Sequence, residues 1–142
     1  MRKAVAAGEV GAVILFGRNA KSPTVVRRLT RQLQAITRPA GLDAPLLVMA
    51  DQEGGLVKRF PWAPPSMSAA RMGARMSPAA ITAQGRATGR ALAGLGVNAD
   101  LAPVCDVGIR GGNIAADGRA FGTTPAAAGR GCTAFARGLA AG

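Results

Sequence analysis

The chain has 142 residues, 49% of them hydrophobic, which suits one domain with a real core and excludes a disordered polypeptide. Lys and Arg number 18 against 7 Asp and Glu, a formal charge of +11, yet the cations are spread along the whole length with no basic block beyond Arg27-Arg28. Histidine and tyrosine are absent, which excludes His-based triads and most zinc sites within these residues.

No metal and no cofactor are therefore expected. Aromatic residues make up 4% of the chain, too few for a base-stacking platform, and the dispersed charge reads as a solubility feature, so no nucleic-acid partner is expected. The N-terminal stretch MRKAVAAGEVGAVILF starts basic, but Gly8-Glu9 interrupts its apolar run. No signal peptide is read there and a cytoplasmic location is expected, with export left open if a signal lies upstream. No run reaches the roughly 18 apolar residues of a membrane span.

In chain order, residues 11–16 (GAVILF) read as a strand buried on both faces and ended by Gly17. Ser22 then caps a helix with Pro23 at its first position, and Val25, Leu29, Leu33 and Ile36 recur at helical spacing until Pro39 stops the run. LLVMA at 46–50 is a second strand. After a Pro-rich turn, Ser77-Pro78 opens a longer helix with Ile81, Gly85, Thr88, Leu92 and Leu95 on one face, Arg86 and Arg90 on the other, and Gly96 at its end. VNADLAPV reads as a third strand, and Thr124-Pro125 opens a last helix. This alternation predicts an α/β fold of βαβ units with a parallel sheet and no hairpin, its ligand site at the carboxyl ends of the strands.

The polar residues at those ends are Arg18 and Asn19, the run Asp51 to Arg59, and Asp106. Two readings of Asp51 stay open: an ion pair with Arg59 or Lys58, or an acceptor that works with Arg59 on the hydroxyls of a sugar. Glu53 reads as structural, closing a turn at Gly54-Gly55. Asp106 ends the third strand either as the partner of a strand-end cation or as a binding group. By itself Arg119 is an ordinary loop arginine, and Trp62 among its prolines a packed loop aromatic. Cys105 and Cys132 fit no CxxC pattern and read as two buried thiols rather than a disulfide.

In this order and at these separations, GAVILFGRN, DQEGGLVKRF, NADLAPVCDV and GRAFG resemble the N-terminal catalytic domain of glycoside hydrolase family 3, above all its bacterial β-N-acetylhexosaminidase branch. The resemblance implies a partial (β/α)8 TIM barrel, with residues 1–142 expected to lack the first strand and the C-terminal half. It implies that Asp51 and Arg59 bind the non-reducing-end sugar, that Arg119 is a further substrate-binding arginine, and that Asp106 supports the pocket. Leu56 departs from the arginine common in the hexosaminidase branch. The family's aspartate nucleophile and His-Asp acid/base pair are expected beyond this chain, so the chain alone is expected to be inactive. The implied activity is that of a retaining, exo-acting β-N-acetylglucosaminidase on a carbohydrate substrate. A β-glucosidase of the same family, a sugar-binding remnant without turnover and, more distantly, a basic nucleic-acid-binding module are the alternatives.

Overall fold

A computed structural model describes all residues, 1–142. Helix α1 (Arg2–Ala6) leads into strand β1 (Ala12–Leu15), a 3-10 turn at Gly17–Asn19 and helix α2 (Pro23–Gln34). Strand β2 (Leu47–Ala50) is followed by β3 (Gln52–Gly54), β4 (Val57–Lys58) and the helices α3 (Ala69–Arg75) and α4 (Pro78–Leu95). Strand β5 (Ala99–Asp100), α5 (Asn113–Ala116) and α6 (Pro125–Ala140) complete the chain.

The main sheet has the order β1-β2-β5 and is parallel throughout, with Val13 opposite Val48 and Met49 opposite Ala99. Its helices start where the Ser-Pro and Thr-Pro pairs predict. The side chains of Ser22, Ser77 and Thr124 accept hydrogen bonds from Val25 N, Ala80 N and Ala127 N at 3.2, 3.2 and 3.3 Å, satisfying one orphan donor of each helix. Gly96 ends α4 in the left-handed conformation.

Three expectations are corrected. The strands are covered on one face only: Val13, Leu15, Val48 and Ala50 are buried beneath the helices, whereas Leu47 on the opposite face is 46% exposed. The predicted third strand is reduced to Ala99–Asp100, because side chains replace the ladder on either side of it. Asn98 Oδ1 accepts from Val48 N at 2.7 Å and Asp100 Oδ1 from Gln52 N at 2.9 Å. A hairpin is also present, formed by antiparallel β3 and β4. Gly54 and Gly55, both at positive φ, make its turn, and a Cβ on Gly54 would strike the Met67 carbonyl.

Of the predicted α2 stripe, Leu33 and Ile36 are buried and Leu29 packs against the core, while Val26 and Thr30 are buried where Val25 was expected. Thr30 is tolerated there because its hydroxyl donates to the Leu95 carbonyl at 2.8 Å, at the open end of α4. On α4 all five predicted face residues are buried. Packing of α4 on α6 depends on small residues: a Cβ on Gly138 would collide with the Thr82 carbonyl, and one on Gly85 with that of Phe135.

Replacing Gly138 by alanine is therefore expected to destabilise the chain by about 1–3 kcal/mol through overpacking, although alanine is the better helix former by about 1 kcal/mol. Gly129 on the same helix has nothing near its Cβ position, so Gly129→Ala is expected to stabilise slightly. Urea titrations of the two variants beside the parent check the opposite signs.

Candidate functional site

The site forms where β2 runs out of its ladder. Because side chains alternate along a strand, Asp51 falls on the open face while Ala50 and Gln52 point to the helix-covered side. Gln52 is fully buried, and its amide group is saturated. Its Oε1 accepts from Phe60 N at 3.0 Å, and its Nε2 donates to the carbonyls of Phe60, Ala63 and Pro64 at 3.1, 3.2 and 3.0 Å. This clamp draws the segment after β4 back against the strand end and so sets where Arg59 begins.

Arg59 then reaches Asp51. Its Nη2 and Nε donate to the same oxygen, Oδ2, at 2.7 and 3.1 Å, which leaves Oδ1 of Asp51 without a hydrogen-bond partner. The guanidinium also lies 5.7 Å from the centroid of the Phe16 ring, which is 41% exposed at the end of β1. The result is a forked acceptor and donor pair, about a quarter exposed, beside an aromatic edge.

Arg119 behaves differently. Its Nε and Nη2 bind both carboxylate oxygens of Glu53 at 2.9 and 2.7 Å, and this bond raises the arginine further above its already high pKa. The Glu53 side chain is 5% exposed, so the pair braces the hairpin from below and uses up both glutamate oxygens. Beyond closing the turn at Gly54-Gly55, Glu53 thus has a partner 66 residues away.

Asp106 stands apart. It is exposed on the segment after β5, in a depression shared with Val107, Ile109 and Ile114, and forms no ion pair. The strand-end carboxylate on β5 is Asp100 instead. Its Oδ1 accepts from Gln52 N while its Oδ2 is buried without a partner. Burial pushes this carboxyl from 3.8 up to about 6, the Gln52 N–H opposes the shift, and the nearby charges of Asp51 and Glu53 add to it. Sequence reasoning passed over Asp100, a carboxylate inside a stretch that read as strand, and gave no role to Gln52 within the run Asp51 to Arg59.

Cys105 and Cys132 are joined in a disulfide rather than left as thiols, with Cα atoms 5.3 Å apart. A separation of 27 residues hides this proximity, which arises because α6 packs beneath the segment after β5. Trp62 is 42% exposed, its ring 6.1 Å from that of Phe60.

Comparison with known proteins gives this geometry its context. Residues 1–141 match the family model for the glycosyl hydrolase family 3 N terminal domain. A β-hexosaminidase of Alkalilimnicola ehrlichii is 38% identical over 130 residues, covering 83% of this chain and 34% of that protein. An uncharacterized secreted glycosyl hydrolase of Arthroderma benhamiae is 36% identical over 124 residues, 84% of this chain and 34% of its own length. The chain thus spans about a third of these curated relatives. The crystal structure of β-N-acetylhexosaminidase from Beutenbergia cavernae superposes with a TM-score of 0.86 at 34% identity, over 99% of this chain and 44% of that one. The parallel strands and their covering helices are part of a (β/α)8 barrel, and the chain belongs to glycosyl hydrolase family 3, within its N-terminal domain.

Proposed function

We propose that residues 1–142 are the sugar-binding part of a retaining, exo-acting β-N-acetylglucosaminidase and form a portion of one N-terminal barrel domain. The observation that carries this is the Asp51–Arg59 pair at the carboxyl end of a parallel sheet, with Oδ1 of Asp51 free to accept. A sugar ring presents adjacent hydroxyls that both donate and accept. Asp51 accepts from one while Arg59, held by Asp51 and by the Phe16 ring, donates to its neighbour. Arg119 supplies the guanidinium donors that Glu53 leaves unused, and Asp106 is the outlying member of the set.

The role of these residues is to bind and orient. Retaining hydrolysis needs a nucleophilic carboxylate and a separate acid/base; Asp51 and Glu53 are both engaged by arginines, and the chain has no histidine. Those groups are assigned to residues beyond the chain. The dispersed +11 charge receives no nucleic-acid role in this reading.

No helix is long and apolar enough to cross a membrane, and one relative is described as secreted. A cytoplasmic location requires the Cys105–Cys132 bond to be reduced in the cell, since disulfides persist in oxidising compartments. Alkylation in cell lysate followed by mass spectrometry decides this. Two alkylated cysteines fit the cytoplasm, and an intact bond fits export.

The test of function uses a completed barrel, in which this chain is followed by the C-terminal remainder of the Beutenbergia cavernae enzyme. Asp51→Asn removes a charge-assisted hydrogen bond of roughly 1.5–3 kcal/mol, so kcat/KM on an aryl β-N-acetylglucosaminide is expected to fall at least about tenfold. The melting temperature should stay close to that of the parent. A variant that melts early yet keeps normal kcat/KM would show that Asp51 is an internal ion-pair partner and no more. An aryl β-glucoside assayed alongside reads the sugar preference.

A further inference from the structure

Asp100 is a partly buried acid, its Oδ2 inaccessible, for which the sugar-binding geometry has no direct use. By register it lies opposite Ala50, on the helix-covered face, whereas Asp51 is on the open face. A sugar held by Asp51 and Arg59 would be separated from Asp100 by the sheet. Asp100 accepts from the Gln52 N–H and shares a hollow with the uncharged side chains of Leu92, Ala93 and Leu139 from α4 and α6, while the charges of Asp51 and Glu53, each paired with an arginine, act on it from a distance. No cation pairs with it, and one of its oxygens is buried with no partner at all.

A buried carboxylate is costly, and it is retained here with a single hydrogen bond. That bond falls on a decisive atom. The peptide between Asp51 and Gln52 turns Asp51 toward the open face and sends Gln52 into its clamp on residues 60–64, and its N–H donates to Asp100 Oδ1 at 2.9 Å. We propose that Asp100 is a positioning residue for substrate, fixing from behind the sheet the peptide that aims both Asp51 and, through the Gln52 clamp, Arg59. The inference rests on the reading of Asp51 and Arg59 as the sugar-binding pair.

Protonation of Asp100 tunes this brace. The carboxyl is pushed to about 6, so the proton leaves within the ordinary working range, and the charged form makes the stronger bond to Gln52 N. Its effect on stability has the opposite sign. The folded value lies above the unfolded one, so the stabilising contribution is complete below about pH 4 and is lost as pH rises through about 6. Asp100 thus weakens the fold near neutrality while holding the site more firmly.

The completed barrel described above provides the test, through nitrogen-15 NMR from pH 4.5 to 8 on the parent, Asp100→Asn and Asp100→Ala. The Gln52 amide is expected to shift with a midpoint near pH 6 in the parent and to stay flat in Asp100→Asn. The Arg59 Nε–H signal is expected to keep its protected position in Asp100→Asn, which retains an acceptor, and to move to that of a solvent-exposed arginine in Asp100→Ala. A purely structural role would not make Arg59 follow the acceptor at position 100. An Arg59 signal unchanged in Asp100→Ala overturns the proposal, and so does a parent Gln52 amide that does not titrate. Should Asp100→Ala fail to fold, the Arg59 Nε–H signal of the parent decides: it is expected to move with the Gln52 midpoint near pH 6 and to stay flat in Asp100→Asn, and a parent Arg59 signal that does not move overturns the proposal. No sugar enters the measurement, so its outcome is separate from the Asp51→Asn kinetics.

Discussion

The buried amide of Gln52 is the contact on which the candidate site depends. A side-chain amide offers one acceptor oxygen and two donor hydrogens, and here these meet the Phe60 N–H and three carbonyls of a turn that has no secondary structure of its own. The Phe60 carbonyl also accepts from Ala63 N, but without the clamp the Phe60 N–H and the Ala63 and Pro64 carbonyls would lose this partner, at about 1–3 kcal/mol for each group left buried. With it, residues 60–64 become an extension of the strand end. Asp51 precedes the clamp and Arg59 precedes its far jaw, so the ion pair between them follows from the clamp.

The two arginine–carboxylate pairs differ in what they leave over. Arg59 places both of its bonds on one oxygen of Asp51, which keeps the second free on the open face. Arg119 takes both oxygens of Glu53, which is nearly inaccessible. The first arrangement has hydrogen-bonding capacity to offer a ligand; the second holds the hairpin to the segment after α5. Asp100 forms a third layer behind them, with no counter-cation. The sheet therefore separates a partly exposed binding pair from a buried brace.

Packing behind the sheet explains why so many small residues are needed. Glycines at the α4–α6 contact bring each helix against the backbone of the other, and the Cys105–Cys132 bond ties the segment after β5 to α6. The site's front is left open. Leu47 and Leu101 are each 46% exposed on or beside the sheet, and β1 and β5 present unpaired edges, as expected of part of a closed barrel.

What the sequence by itself determined was local. Hydrophobic period and capping residues depend on neighbours a few positions away, so Ser22-Pro23, Ser77-Pro78 and Thr124-Pro125 located three helices, and the buried face of α4 was legible residue by residue. The pairing of Asp51 with Arg59 was also within reach, because only eight residues separate them. Tertiary structure decided the rest. The shortness of β5 follows from Asn98 and Asp100 bonding to a strand about fifty residues earlier, the Glu53–Arg119 pair spans 66 residues, and the disulfide closes a loop of 27. Contacts of that range leave no periodic trace in a single sequence, since they are fixed by how helices and strands stack and not by the spacing of residues along the chain.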